Sequence, residues 1–248
     1  MGDLASVQSS TSLANIDAAL QARALAMKQS IQVGGQNINI QKNGTFRLPN
    51  GEERDVLDMV IVDYKYRNQF YSRPYRKGEF SPADCFAIGD DPTAMNPHVE
   101  APVPVHPTCL GCPKNEFGSA LNGGAGKACQ NQLLLAIMFA DLAESEEVYV
   151  LKASPTMVKA IAGHVVKLAE HYGHPIKAIT RFGVDSSGDY PKLTAAFAGP
   201  NPDYTSHARF LGDADRALTS APKKNDAGVD SSTNATSSAQ VRANRRVS

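Results

Sequence analysis

A chain of 248 residues with 42% hydrophobic and 20% charged residues has ordinary globular usage, which excludes wholesale disorder or a fibrous repeat and allows one large domain or two small ones. Twenty-five basic residues balance twenty-five acidic ones, so a globally basic surface is excluded and any nucleic-acid contact must come from a local patch. No run approaches 18 apolar residues, and no charged segment precedes an apolar core at the N-terminus; neither a membrane span nor a signal peptide is expected, and the chain reads as cytoplasmic.

Met1-Gly-Asp-Leu-Ala-Ser6 formally fits a myristoylation pattern, set aside because the pattern is short and Asp3 puts a charge beside the glycine. From Ser12, apolar residues recur at Leu13, Ile16, Leu20, Ala24 and Met27, a spacing of three and four that predicts a helix capped by Ser12 or Asn15. Beyond Ile31 the pattern turns strand-like, with Ile38 and Ile40, then Thr45 to Arg47, then a tight turn at Asn50-Gly51. Val56 to Tyr66 is rich in Val, Ile and Tyr, and is expected to be the longest strand. Residues 78–130 are Gly- and Pro-rich without sustained periodicity, and a loop that long needs its own organiser. Leu133 to Ala140 fits a buried strand or a helix, while Glu147 to Lys152 fits a strand. Ser154-Pro155 predicts a helix start, with Met157, Ile161, Val165 and Leu168 on one face and Gly173 as its stop. Ile176–Val184 and Lys192–Ala198 predict a hairpin. After Thr219 the chain is small and polar, with five basic and two acidic residues, and is expected to be a disordered tail.

All four cysteines, Cys85, Cys109, Cys112 and Cys129, fall in the aperiodic stretch. Cys109-Leu-Gly-Cys112 lets two thiolates reach one metal from a tight turn, and Cys85 and Cys129 lie 23 and 16 residues outside it. A structural Zn2+ with four protein ligands is expected, supplying folding free energy that this stretch cannot get from burial. A Cys3His set using His98 or His106 in place of Cys85 stays open. The spacing does not suit an iron–sulfur run, and disulfides would suit an exported chain.

Between Tyr64 and Lys77 the sequence carries five aromatics, five basic residues and no acid. Single strands of nucleic acid are held by base stacking and by Lys or Arg on the phosphates, which asks for these two types interleaved. Tyr64, Tyr66, Phe70, Tyr71 and Tyr75 are the candidate stacking rings. Lys65, Arg67, Arg73, Arg76, Lys77 and Lys127 are the candidate cations. Period two places Tyr64 and Tyr66 on one face of a strand and Lys65 and Arg67 on the other. The competing reading makes these rings core and the cations a solvated face.

Gly123 to Ala128 lacks the Ser or Thr of a phosphate loop; His164, His171 and His174 lack the accompanying Glu of a zinc hydrolase. Asp90-Asp91 and Asp55/Asp58 have no nuclease motif around them. No catalytic constellation emerges, and the protein is not expected to be an enzyme.

The order Pro82-Ala-Asp-Cys85-Phe, Pro97-His98, Cys109-Leu-Gly-Cys112-Pro-Lys-Asn-Glu-Phe-Gly-Ser119 and Gly126-Lys127-Ala128-Cys129 resembles a family of small phage-encoded, single-stranded-DNA-binding-like proteins. The resemblance spans roughly Phe46 to Phe197. It implies a zinc-stabilised oligonucleotide-binding (OB-like) β-barrel serving phage DNA replication or recombination in the host cytoplasm, with single-stranded DNA and proteins of those processes as partners, and it is compatible with an oligomer. The fold class expected is therefore α+β: a mainly antiparallel OB-like barrel with an N-terminal helix, an inserted zinc loop and one long capping helix. The arm and helix would span 1–30, a single domain 31–218 with its zinc loop at 78–130, and the tail 219–248. The alternative function is a non-catalytic protein-interaction or virion-structural module braced by zinc.

Overall fold

The structure, a computed structural model, describes residues 36–73, 82–188 and 190–220. The expected N-terminal arm and helix lie outside these residues, as does the tail beyond Ser220.

The fold is α+β, a mixed sheet curled into half a barrel with few helices. Its strands are β1 (Gln36–Ile40), β2 (Phe46–Arg47), β3 (Glu53–Arg54), β4 (Leu57–Phe70), β5 (Cys85–Gly89), β6 (Cys129–Phe139), β7 (Tyr149–Ala153), β8 (Ala178–Asp185) and β9 (Lys192–Pro200). They run in the order β3-β2-β1-β7-β6-β4-β8-β9, with β5 paired to β4 beside that path. Among the described residues only β1 and β7 pair in parallel. Helix α1 (Val158–Tyr172) covers one face and α2 (Leu211–Thr219) packs on β4 and β6 from the other.

Two cores result. On the α1 side Met59, Ile61, Leu133, Leu135 and Ile137 meet Ile161, Val165 and Leu168. On the α2 side Val60, Val62, Leu134, Ala136 and Met138 meet Ile176, Ala214 and Leu218. Strands β4 and β6 are thus buried on both faces, which is why their apolar runs are continuous rather than alternating. The run from Leu133, ambiguous in sequence, is a strand because both its faces find a core.

Strand β4 is the longest and extends through Phe70, beyond the Tyr66 expected. β5 and β6 pair with its two edges over Tyr66 to Phe70 and satisfy the backbone there, despite the polar side chains Arg67, Asn68 and Gln69. Its register with β6 shifts between Ile61 and Asp63. This bulge changes the phase, so odd residues face the α1 core before it and Tyr64 and Tyr66 face that core after it.

The Asn50-Gly51 turn joins β2 to β3, with Gly51 at φ 90. The predicted hairpin is β8 with β9. The Ser154 cap differs from expectation: the helix begins at Val158, no side chain caps it, and the Ser154 hydroxyl meets Thr156 while its carbonyl accepts from the Met157 and Val158 amides. Gly173 ends α1 as expected, at φ 79, its N–H donating to the Ala169 carbonyl.

Candidate metal centre and nucleic-acid interface

Phe70, the last residue of β4, pairs with Cys85 on one side and Cys129 on the other. Residues paired across a sheet point to the same face, so the two cysteines flank Phe70 on the face that also carries Asn68, Ala87 and Asn131. The loop between β5 and β6 brings Cys109 onto that face, against Ala87, Met95 and Tyr66. Cys109 is anchored there by its N–H, which donates to the Met95 carbonyl at 2.8 Å. Three residues on, the Cys112 N–H closes a turn to the Cys109 carbonyl at 3.5 Å, with Gly111 at φ 74. This is the left-handed third position at which a type II turn favours glycine. Pro113–Asn115 then forms a short 3-10 turn beginning after Cys112.

All four cysteines are free thiols, Cys109 and Cys112 buried and the other two partly so. Burial pushes the Cys129 thiol up to about 12, helped by the neighbouring Cys109, Cys112 and Cys85, with Lys127 opposing. Cys109 is also raised, first by burial, while Asn68 pulls it down and Cys85 and Cys112 add to the rise. Cys129 therefore lies within electrostatic reach of the other three, and Cys109 within reach of Cys85 and Cys112. Across the intervening strand the Cys85 and Cys129 backbones stand about 10 Å apart, two strand spacings. Among the described residues no three His, Cys, Asp or Glu side chains already sit at metal-bonding geometry. The donor set itself, four soft thiols with no carboxylate among them, fits the chemistry of a structural zinc. His98 instead lies stacked on Phe86, with ring centroids 4.9 Å apart, and the Nδ1 of His106 is 2.8 Å from the Thr108 carbonyl.

An amide chain ties the loop to the sheet. Asn131 Nδ2 donates to Asn68 Oδ1 at 2.6 Å and to Asn115 Oδ1 at 3.0 Å. Asn115 Nδ2 in turn donates to the Cys109 carbonyl at 3.1 Å, and Lys127 Nζ to Asn115 Oδ1 at 3.3 Å.

The aromatic and basic stretch divides between the faces as the period-two reading has it. Tyr64 and Tyr66, half-buried and edge-to-face at 6.3 Å, pack on the α1 core. Phe70 is buried, with Lys114 Nζ 5.6 Å from its ring, and Tyr71 packs on Ala83, Phe86 and Ala101. Lys65 pairs with Asp90 at 2.7 Å and with Asp215 at 3.7 Å. Arg67, 3% exposed, donates through Nε and Nη2 to Gln132 Oε1. Arg73 alone among the described cations of this stretch is exposed; Tyr75, Arg76 and Lys77 lie outside the described residues. Lys127 places its ammonium 5.0 Å from the ring of Phe117, which is 81% exposed.

Sequence reasoning missed Phe117, Lys114 and the three asparagines. One of the amides had a signal, the polar residues 130–132 opening a strand that is otherwise apolar. Compared with protein-family models, with curated proteins and with solved structures, the chain matches none.

Proposed function

We propose that the protein is a non-catalytic binder of single-stranded DNA, acting in phage replication or recombination, whose half-barrel is OB-like and whose loop is braced by a structural zinc held by Cys85, Cys109, Cys112 and Cys129. Bound there, zinc would cross-link the loop to the starts of β5 and β6 and hold the thiols deprotonated. The contact surface we assign is the cysteine end of the sheet rather than the whole aromatic strand. The observation that carries this reading is the exposed ring of Phe117 with Lys127 beside it, the pairing of stacking face and cation that a single strand requires. Arg73 leaves β4 exposed at the same end, three residues past Phe70, and in sequence Tyr75, Arg76 and Lys77 continue from it. Tyr64, Tyr66, Arg67 and Phe70 then serve the scaffold.

Titration of labelled oligonucleotide at two salt concentrations tests the reading. Affinity should fall with salt, and Phe117→Ala should weaken it by about 1–3 kcal/mol. Binding that is absent, or indifferent to salt, would sink the proposal. Purified reduced protein should carry one equivalent of zinc, and Cys112→Ser should lose it.

The second reading, a protein-interaction or virion-structural module braced by the same zinc, is favoured by the inward packing of Tyr64, Tyr66, Phe70 and Tyr71 and by the exposure of Leu110 (68%) and Leu121 (53%) on the loop. It predicts zinc without oligonucleotide binding.

A further inference from the structure

We infer that Asn68 is a positioning residue of the cysteine centre, its side-chain amide donating to the Cys109 sulfur. The inference rests on the zinc reading above and deepens it. Asn68 projects from the middle of the β4–β5–β6 rungs and is 3% exposed, so solvent cannot satisfy it. Its Oδ1 is taken by Asn131 Nδ2 at 2.6 Å, which fixes which way the amide is turned. The Nδ2 is left on the other side without a partner at ordinary hydrogen-bond geometry, yet near enough to Cys109 to pull its thiol down.

A buried donor without a partner is rare and asks for an explanation. A neutral thiol is a weak acceptor, whereas a thiolate is a strong one. Cys109 packs on Ala87, the cross-strand partner of Asn68, so the donor lies on the face where the Cys109 sulfur would serve as a ligand. The same amide chain holds the Cys109 backbone, because Asn131 also donates to Asn115 Oδ1 and Asn115 Nδ2 to the Cys109 carbonyl. Sulfur and carbonyl of one ligand are thus positioned by two ends of one network, the arrangement by which outer groups orient metal ligands.

The test compares wild type with Asn68→Leu, which keeps nearly the same volume and removes the donor. Zinc affinity is read by competition with a chelating dye, across a range of pH, and the sulfur-to-metal charge-transfer band is read with Co2+ in place of zinc. The expected result is an affinity lower by about 10–100-fold, uptake shifted to higher pH and a displaced Co2+ band. Equal affinity, pH profile and spectrum in the folded variant would overturn the role of Asn68 and leave the zinc reading standing. A wild-type protein that takes up neither metal would overturn the zinc reading, and this inference with it. Should Asn68→Leu fail to fold, Asn131→Ala keeps Asn68 but frees its amide to rotate; weaker zinc binding with a shifted Co2+ band supports the inference, and unchanged values overturn it.

Discussion

His164 stands on α1 with Nε2 3.0 Å from the Thr180 hydroxyl, and burial, with Lys167 nearby, holds its pKa below the ordinary 6.5. The folded protein thus binds a proton there less readily than the unfolded chain. Above 6.5 both forms are neutral and nothing is lost; as pH falls below it the unfolded chain protonates first and stability declines. His164→Gln is expected to flatten the fall in Tm on acidification through this window, measured by thermal scans at a series of pH values. A slope identical to wild type would refute this assignment. At the same scale, Arg67 shows what a sequence can and cannot say. The alternation of ring and cation was legible, and the faces came out as read. Exposure was not legible, because alternation fixes which residues share a face but not what lies against it. Here Gln132 accepts from the guanidinium, and the tyrosines meet the α1 core.

Among the elements, α1 contains a contrast that two substitutions can read. Gly173 lies at φ 79 beyond the helix end, and a Cβ there would meet no atom within 4 Å, so the only penalty of Gly173→Ala is left-handed backbone strain, about 1–2 kcal/mol. Gly163 lies inside the helix, equally open but with ordinary backbone, and Gly163→Ala is expected to stabilise by about 0.5–1 kcal/mol. Urea midpoints of opposite sign check both. The helix itself was legible because its Met157, Ile161, Val165 and Leu168 stripe faces one core and its other side faces solvent. Its start was misread, since the Ser154 carbonyl rather than its hydroxyl receives the first amides. The phase change in β4 left no trace in sequence for a related reason. Met59 to Val62 are apolar at every position, and a strand buried on both faces carries no alternation from which a bulge could be detected.

At the scale of the whole molecule, the two cores stand on β4 and β6, and the segment from Asp90 to Ala128 is docked by Met95 and Ala101 in two small apolar clusters, by main-chain bonds from His98 and Val103 to Phe86 and Asp84, and by the amide chain. Its Gly- and Pro-rich texture was the part of the sequence that pointed most directly to a local organiser, while the amides that dock it were not singled out. With zinc held by the four cysteines as proposed, chelation is expected to open sites for limited proteolysis within residues 90–128 while α1 and the strands it covers stay protected, as read by mass spectrometry of the fragments. Identical digestion with and without chelator would argue against a brace. The rung at Phe70 also bears on how the chain assembles during synthesis. Cys129 is the first residue of β6 and the last of the four cysteines to leave the ribosome. A metal already caught by Cys85, Cys109 and Cys112 would wait one bond short of completion. The arrival of Cys129 would then set β6 in register against β4 at the far end of their ladder, and the remaining pairs could zip from there, the long loop between the two strands having been closed once by the metal.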